Sequence, residues 1–432
     1  MNTSINNNGK LGEIVSQKNI LEKIRSKYIL KRIFSNLHEK KLFNFIKYNK
    51  KMQNSLDFNV GDYKTLSEIE IEIIPLQQRH HYFQSKFISV YEENKSYYHI
   101  YFDNSQEEIK RNYLYYFEDV GKIRVILDYH MDSFLDLFKD CECIRSINFK
   151  RFYRNNIKSM NSMFHSCYNL EEINFSNFNT KNVEDMSSMF FKCKSLRHIN
   201  LSKFETGNVT NSSFMFFGCS RLRDLDLSKF NTNKIKDMSA MFFNCQRLIE
   251  LDLFNFNTSN VTNMFGMFDD CRSLKKVNLC SFNTNKVRDM NAMFENCLHL
   301  KELDLLNFNT RNVKYMYNMF SGCANLKELD LSNFNTSITL DMKRMFRGCL
   351  SLEKLNISNF DTKYVFNMSC MFYKCPSLKE LEMPKLDTDN VIIMKSMLYE
   401  TSDEIANKFI ELNINVRDSA FDSLRVEEDF YF

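Results

Sequence analysis

Ten of the 13 cysteines share one register: Cys141, Cys167, Cys193, Cys219, Cys245, Cys271, Cys297, Cys323, Cys349 and Cys375 follow one another at 26-residue intervals. Thiolates in such a series could ligate a metal or close a ladder of disulfides. Zinc sites, however, draw on pairs two to four residues apart, often joined by His, and only Cys141-Cys143 comes near that spacing. A free Cys otherwise behaves as a small buried hydrophobe, so one thiol per repeat at a fixed address reads as packing. No metal and no cofactor is expected. His80-His81 has no neighbouring carboxylate or thiol and reads as a solvated turn. The sequence offers no nucleophile beside a base and no phosphate-cradling loop, which 9 Gly would scarcely supply. An enzyme is the least expected class, and no catalytic residue is assigned.

A second polar series runs Asn148, Asn174, Asn200, Asp226, Asp252, Asn278, Asp304, Asp330 and Asn356, each set between two apolar residues. Such a ladder could bind a partner's backbone or basic groups, or it could satisfy itself, and the second use is favoured. Two positions earlier the residue changes from repeat to repeat: Glu172, His198, Asp224, Glu250, Lys276, Glu302, Glu328 and Lys354. Variation of that kind suits recognition. The candidate partner-binding set is therefore Glu172, His198, Asp224, Asp226, Glu250, Asp252, Lys276, Glu302, Asp304, Glu328, Asp330 and Lys354.

The elements that must carry these residues are legible in the unit Cys323 to Cys349. Leu326, Leu329 and Leu331 spell the L-x-x-L-x-L of a leucine-rich repeat, and Leu329-Asp330-Leu331 alternates as a strand with one buried face. In the preceding unit Val313, Met316, Met319, Phe320 and Cys323 fall on one face of a helix. Thr310, with its counterparts from Thr180 to Thr388, stands where that helix would want an N-cap. The fold class expected is α/β, a leucine-rich-repeat solenoid of about ten strand-helix repeats. Two Phe series, one from Phe178 to Phe360 and one from Phe164 to Phe372, should form aromatic spines. Ser212 and Thr339 interrupt the apolar series and should loosen their units. At a strand spacing of about 4.8 Å, ten units present a face roughly 45 Å long.

The strings Leu329 to Thr336 (Leu-Asp-Leu-Ser-Asn-Phe-Asn-Thr) and Met316 to Cys323 (Met-Tyr-Asn-Met-Phe-Ser-Gly-Cys) resemble the BspA-like leucine-rich repeat. The resemblance covers 129–401 and implies a protein-interaction or adhesion solenoid. A weaker resemblance lies upstream. Tyr28-Ile-Leu-Lys-Arg-Ile-Phe-Ser-Asn-Leu-His-Glu-Lys-Lys-Leu is similar to the core of an F-box, without the opening Leu-Pro and without the Trp of that family. It implies docking on the adaptor subunit of a cullin-type ubiquitin ligase through Ile29, Leu30, Ile33, Phe34 and Leu37. A plain amphipathic helical cap is the alternative.

The expected organisation is a disordered tail over 1–16, helices over 17–66, a β-rich cap over 67–128, the solenoid over 129–401 and a C-terminal cap over 402–432. Alternation marks strands at Ile69 to Ile73, Phe87 to Tyr91, Tyr98 to Phe102 and Ile123 to Leu127. Lys and Arg number 58 against 54 Asp and Glu, so charge makes no case for nucleic acid or an acidic membrane. The polar N-terminus and the absence of a long apolar run suggest a cytoplasmic protein. A monomer is expected, with another protein as its partner.

Overall fold

A computed structural model describes residues 29, 30, 46, 49–76 and 83–423. Two short helices open the described chain, α1 (Lys50–Ser55) and α2 (Val60–Ser67). Asn49 caps the first through the Met52 N–H, and Asn59 with Asp62 forms a capping box on the second. Ile46 and Leu66 pack with Tyr153 and with the half-buried Leu56 and Phe58, which lays this region against the start of the solenoid.

β1 (Ile69–Pro75) alternates buried with half-buried residues, as its isoleucines require. It lies antiparallel between β5 (Ile123–Leu127) and β6 (Ile144–Arg151), with β3 (Tyr98–Phe102) outside β5 and β7 (Glu172–Asn174) parallel to β6. β6 is the first strand of the solenoid, so β1 covers an edge that would otherwise offer unpaired backbone groups. β2 (Gln84–Lys86) and β4 (Tyr113–Tyr115) form a separate pair. The strand expected over Phe87 to Tyr91 is not formed. Phe87 and Ile88 are buried in a bend, and the N–H groups of Phe87 and Ser89 go to the Asn112 and Leu137 carbonyls instead.

After β6 the solenoid strands are three residues long: β7, then β8 (Glu250–Asp252), β9 (Lys276–Asn278), β10 (Glu328–Asp330), β11 (Lys354–Asn356) and β12 (Glu380–Glu382). They pair in parallel with partners 26 residues apart, Leu251 on Val277 and Leu329 on Leu355. A second parallel ladder, which the sequence did not announce, steps without interruption from Ser133 to Ile393 in the same register. One hydrophobic core extends from Ile69 to Ala420.

The helix expected in each repeat is absent. Between the ladders the chain forms consecutive turns whose N–H groups alternate between two uses. Met186, Ser188, Phe190 and Lys192 donate to carbonyls 25 residues on, those of Asn211, Ser213, Met215 and Phe217. Met189, Phe191 and Cys193 donate three residues back, to Met186, Ser188 and Phe190. An α-helix would send every N–H four residues back; here half of them tie one turn of the solenoid to the next. The turns need left-handed backbone at two sites per repeat, Ser188 (φ 54°) and Lys192 (φ 56°) in this one. Chains of three-residue turns and helices place the same residues inward, which is why Met, Met-Phe and Cys at steps of three and four mimic a helix face.

The threonines, accordingly, do not cap helices. Thr258 Oγ1 donates to the Asn283 carbonyl at 3.0 Å and accepts the Asn283 N–H at 2.7 Å. The same reciprocal pair recurs at Thr180, Thr206, Thr232, Thr284, Thr310 and Thr336, and Thr362 Oγ1 donates to the Asp387 carbonyl. Ser212 and Thr339 do not loosen their units either. Both are buried, and their hydroxyls bond the Asp237 and Val313 carbonyls.

The ladder cysteines are buried and unbridged. From Cys167 to Cys375 each thiol points at the carbonyl of a Phe in the preceding turn, at 2.9–3.2 Å. Burial pushes Cys219 and Cys323 up to about 12, which keeps them protonated donors and unreactive. The Phe164 to Phe372 spine is stacked from end to end, for example Phe294 on Phe320 at 5.8 Å. The Phe178 to Phe360 spine is stacked at Phe178 to Phe230 and Phe256 to Phe308, with Phe282 on Phe308 at 6.2 Å. A third, unexpected stack joins His165, Phe191, Phe217 and Phe243 at 4.4–4.5 Å.

At the far end α3 (Asp403–Glu411) buries Ile405 and Phe409. The segment after it imitates a further turn: the Asn415, Ser419 and Ala420 carbonyls accept from Thr388 Oγ1 and from the Ser396 and Leu398 N–H groups.

Candidate functional site

In each solenoid strand the central residue faces the core and its two neighbours face out. Glu250, Leu251 and Asp252 are exposed, buried and exposed, and Glu328 to Asp330 repeat the pattern. All twelve candidate residues, from Glu172 to Lys354, are exposed on this strand face. Register aligns them in columns. Glu250 stands opposite Lys276 and Glu328 opposite Lys354, while Lys354 Nζ reaches Glu380 Oε2 at 3.3 Å and His198 Nδ1 lies 3.3 Å from Asp224 Oδ2. Opposed charges on adjacent strands stabilise modestly, by about 0.2–1 kcal/mol.

The Asn/Asp column does structural work through one oxygen. Asp226, Asp252, Asp304 and Asp330 each accept, through Oδ1, the N–H two residues on, at 2.9–3.1 Å. Asn174, Asn200 and Asn356 do the same. These Asx turns end each strand and fix the side-chain direction. The Ser228 N–H holds Asp226 below the usual carboxylate range. In an ionised Asp the second oxygen keeps its acceptor capacity for a partner.

Two hollows lie along this face. One, of about 730 Å³, is lined by the buried Ile147, the half-buried Ile173 and Ile199, and Glu72, Glu172, His198, Asp224 and Asp226 around them. Glu72 and Ile74 come from β1, so the N-terminal sheet contributes to the same wall. The other, of about 820 Å³, is lined by Glu302, Asp304, Leu306, Glu328 and Asp330 with Lys301 and Lys327.

One column escaped the sequence reading. The residue two past the Asn/Asp ladder is Ser176, Ser202, Ser228, Ser332 or Ser358 in most turns, but Phe254, Cys280 and Leu306 in three successive ones. Departure from the repeat, rather than residue type, was the available signal. A second departure lies on the flank of the last turns, where Lys314 is followed on its ladder by Leu340, Phe366 and Ile392, beside exposed Tyr364.

Of the F-box-like set, Ile29 is exposed and Leu30 buried. Ile33, Phe34 and Leu37 lie outside the described residues, as do the 1–16 tail and His80-His81. Among the described residues no group of three His, Cys, Asp or Glu is placed to hold a metal ion, and no helix is long and apolar enough to cross a membrane.

A family described as Mycoplasma protein of unknown function, DUF285, matches the chain in three overlapping stretches, 132–246, 218–328 and 300–410. Among solved structures, a leucine-rich repeat protein from Bacteroides ovatus ATCC 8483 is 17% identical with a TM-score of 0.41, covering 64% of this chain and 70% of that one. A leucine-rich repeat protein from Eubacterium ventriosum ATCC 27560 is 15% identical with a TM-score of 0.26, covering 58% and 82%. No curated protein matches.

Proposed function

From the premise that the chain belongs to the family of Mycoplasma proteins of unknown function, DUF285, we propose that it is a non-catalytic scaffold that receives another protein on the strand face, the concave side of its leucine-rich-repeat solenoid. The observation that carries this reading is a division of labour within the repeat. Leu, Phe, Met, Cys and Thr at fixed addresses are buried and committed to stacking or to bonds between turns. The residues that differ from turn to turn, Glu172 to Lys354, stand exposed in rows on one face. A surface roughly 45 Å long is large enough for a protein-sized partner.

Affinity purification with mass spectrometry, comparing the natural chain with one carrying Asp224→Lys, Glu250→Lys, Glu302→Lys and Glu328→Lys, tests the proposal. Partners should be lost or replaced. An unchanged set of partners, with the variant folded by circular dichroism, rejects the strand face as the binding surface.

A further inference from the structure

Phe254, Cys280 and Leu306 stand in successive turns, and nothing in the fold uses their side chains. Phe254 is 64% exposed and Leu306 60%, and Cys280 is the exposed thiol of the chain. Their N–H groups go to Oδ1 of Asp252, Asn278 and Asp304, the same turn that serine makes elsewhere. The backbone therefore does not demand an apolar residue here, while leaving Phe and Leu in water forgoes their burial energy.

The strip is bordered by the two central columns of the face, which over these turns and the next bring Glu250, Asp252, Glu302, Asp304, Glu328 and Asp330 against Lys276. Leu306 lines the same 820 Å³ hollow as four of those carboxylates. Lys301 and Lys327, each one residue before the outer acidic column, line that hollow as well, which leaves its carboxylates in excess, four against two lysines. An apolar anchor beside fixed carboxylates is complementary to a chain of opposite charge: the anchor concentrates binding energy, and the acidic columns steer and select.

We propose that this strip anchors the partner, and that it takes a protein segment in which bulky apolar side chains alternate with Lys or Arg. The proposal rests on the strand-face reading above and adds to it the place of closest contact and the partner's chemistry.

The probe is a dye-labelled twelve-residue peptide of three Lys-Leu-Arg-Leu units, titrated by fluorescence anisotropy with the full chain. One control peptide replaces Leu by Ser, and another replaces Lys and Arg by Glu and Gln. The first peptide should bind at least tenfold more tightly than either control, the weight of one buried apolar side chain. That preference should vanish in a Phe254→Ser/Leu306→Ser variant and survive Phe366→Ser/Ile392→Ser, which removes another exposed apolar pair on the flank of the solenoid. Equal binding of the serine peptide, or equal loss in both double variants, overturns the anchor. Partners recovered through the strand face that bind Phe254→Ser/Leu306→Ser unchanged would overturn it too while leaving the scaffold reading in place. Insensitivity to the four charge reversals would instead remove the scaffold reading itself.

Discussion

Thr258→Val tests the central correction to the repeat, that its threonine joins turns rather than capping a helix. Thr258 is wholly buried, and its hydroxyl makes two bonds to a single residue of the next turn, the carbonyl and the N–H of Asn283. Valine keeps the branched shape and removes both bonds, leaving one donor and one acceptor facing a methyl group. Each unsatisfied buried group costs about 1–3 kcal/mol, so the substitution should cost about 2–6 kcal/mol. Serine keeps the hydroxyl and loses one methyl, which costs about 1 kcal/mol. An N-cap role would limit the valine penalty to about 1 kcal/mol and confine it to the residues that follow Thr258. Urea unfolding gives the global change. Because each turn of a solenoid is coupled mainly to its neighbours, hydrogen exchange at the Asn283 amide gives the local one. The expected order of stability is Thr, Ser, then Val, with faster exchange at Asn283 in the valine variant alone. A valine variant within about 0.5 kcal/mol of the natural protein, or unchanged exchange at Asn283, would refute the reasoning.

Asp269 is buried, and its carboxyl is pushed up to about 8, first by that burial and then by Glu295 and Asp270. The folded state therefore keeps a proton that the unfolded state, near 3.8, releases. The stability this provides is complete below about pH 4 and is lost as pH rises toward 8, a penalty of roughly 4 kcal/mol at pH 7. Asp269→Asn should thus match the natural protein near pH 4 and exceed it in Tm at pH 8; a gap that fails to widen with pH would contradict this. A thiol reagent should modify one cysteine, Cys280, in the native protein and all 13 in denaturant, as read by mass spectrometry. Gly322 has φ +74° and a Cβ there would come within 2.7 Å of Asn296 Oδ1. Gly322→Ala should therefore lower stability by about 1–2 kcal/mol, whereas Lys192→Gly, at a left-handed site that already lacks glycine, should leave it equal or raise it.

The repeat, its length and its inward residues follow from the sequence alone, because burial is periodic and the period is printed in the residue types. Leu251 and Leu329 lie in strands, Cys193 to Cys375 are buried, and the Phe164 to Phe372 spine stacks as its spacing required. The backbone between Val and Cys was not legible in that way. Met316, Met319, Phe320 and Cys323 point inward equally well from a helix or from a chain of three-residue turns. The choice between them depends on carbonyls that only the neighbouring turn supplies. A faint local trace existed in the residue before the ladder cysteine, which is Gly218, Asn244, Asp270, Asn296, Gly322 or Gly348 in half a dozen turns, the types that tolerate left-handed backbone. The candidate site divides along the same line. Variation from unit to unit located the exposed columns, Glu172 to Lys354. That Phe254, Cys280 and Leu306 adjoin the acidic columns as one strip was decided by the parallel stacking of turns, which sets residues 26 apart in sequence side by side.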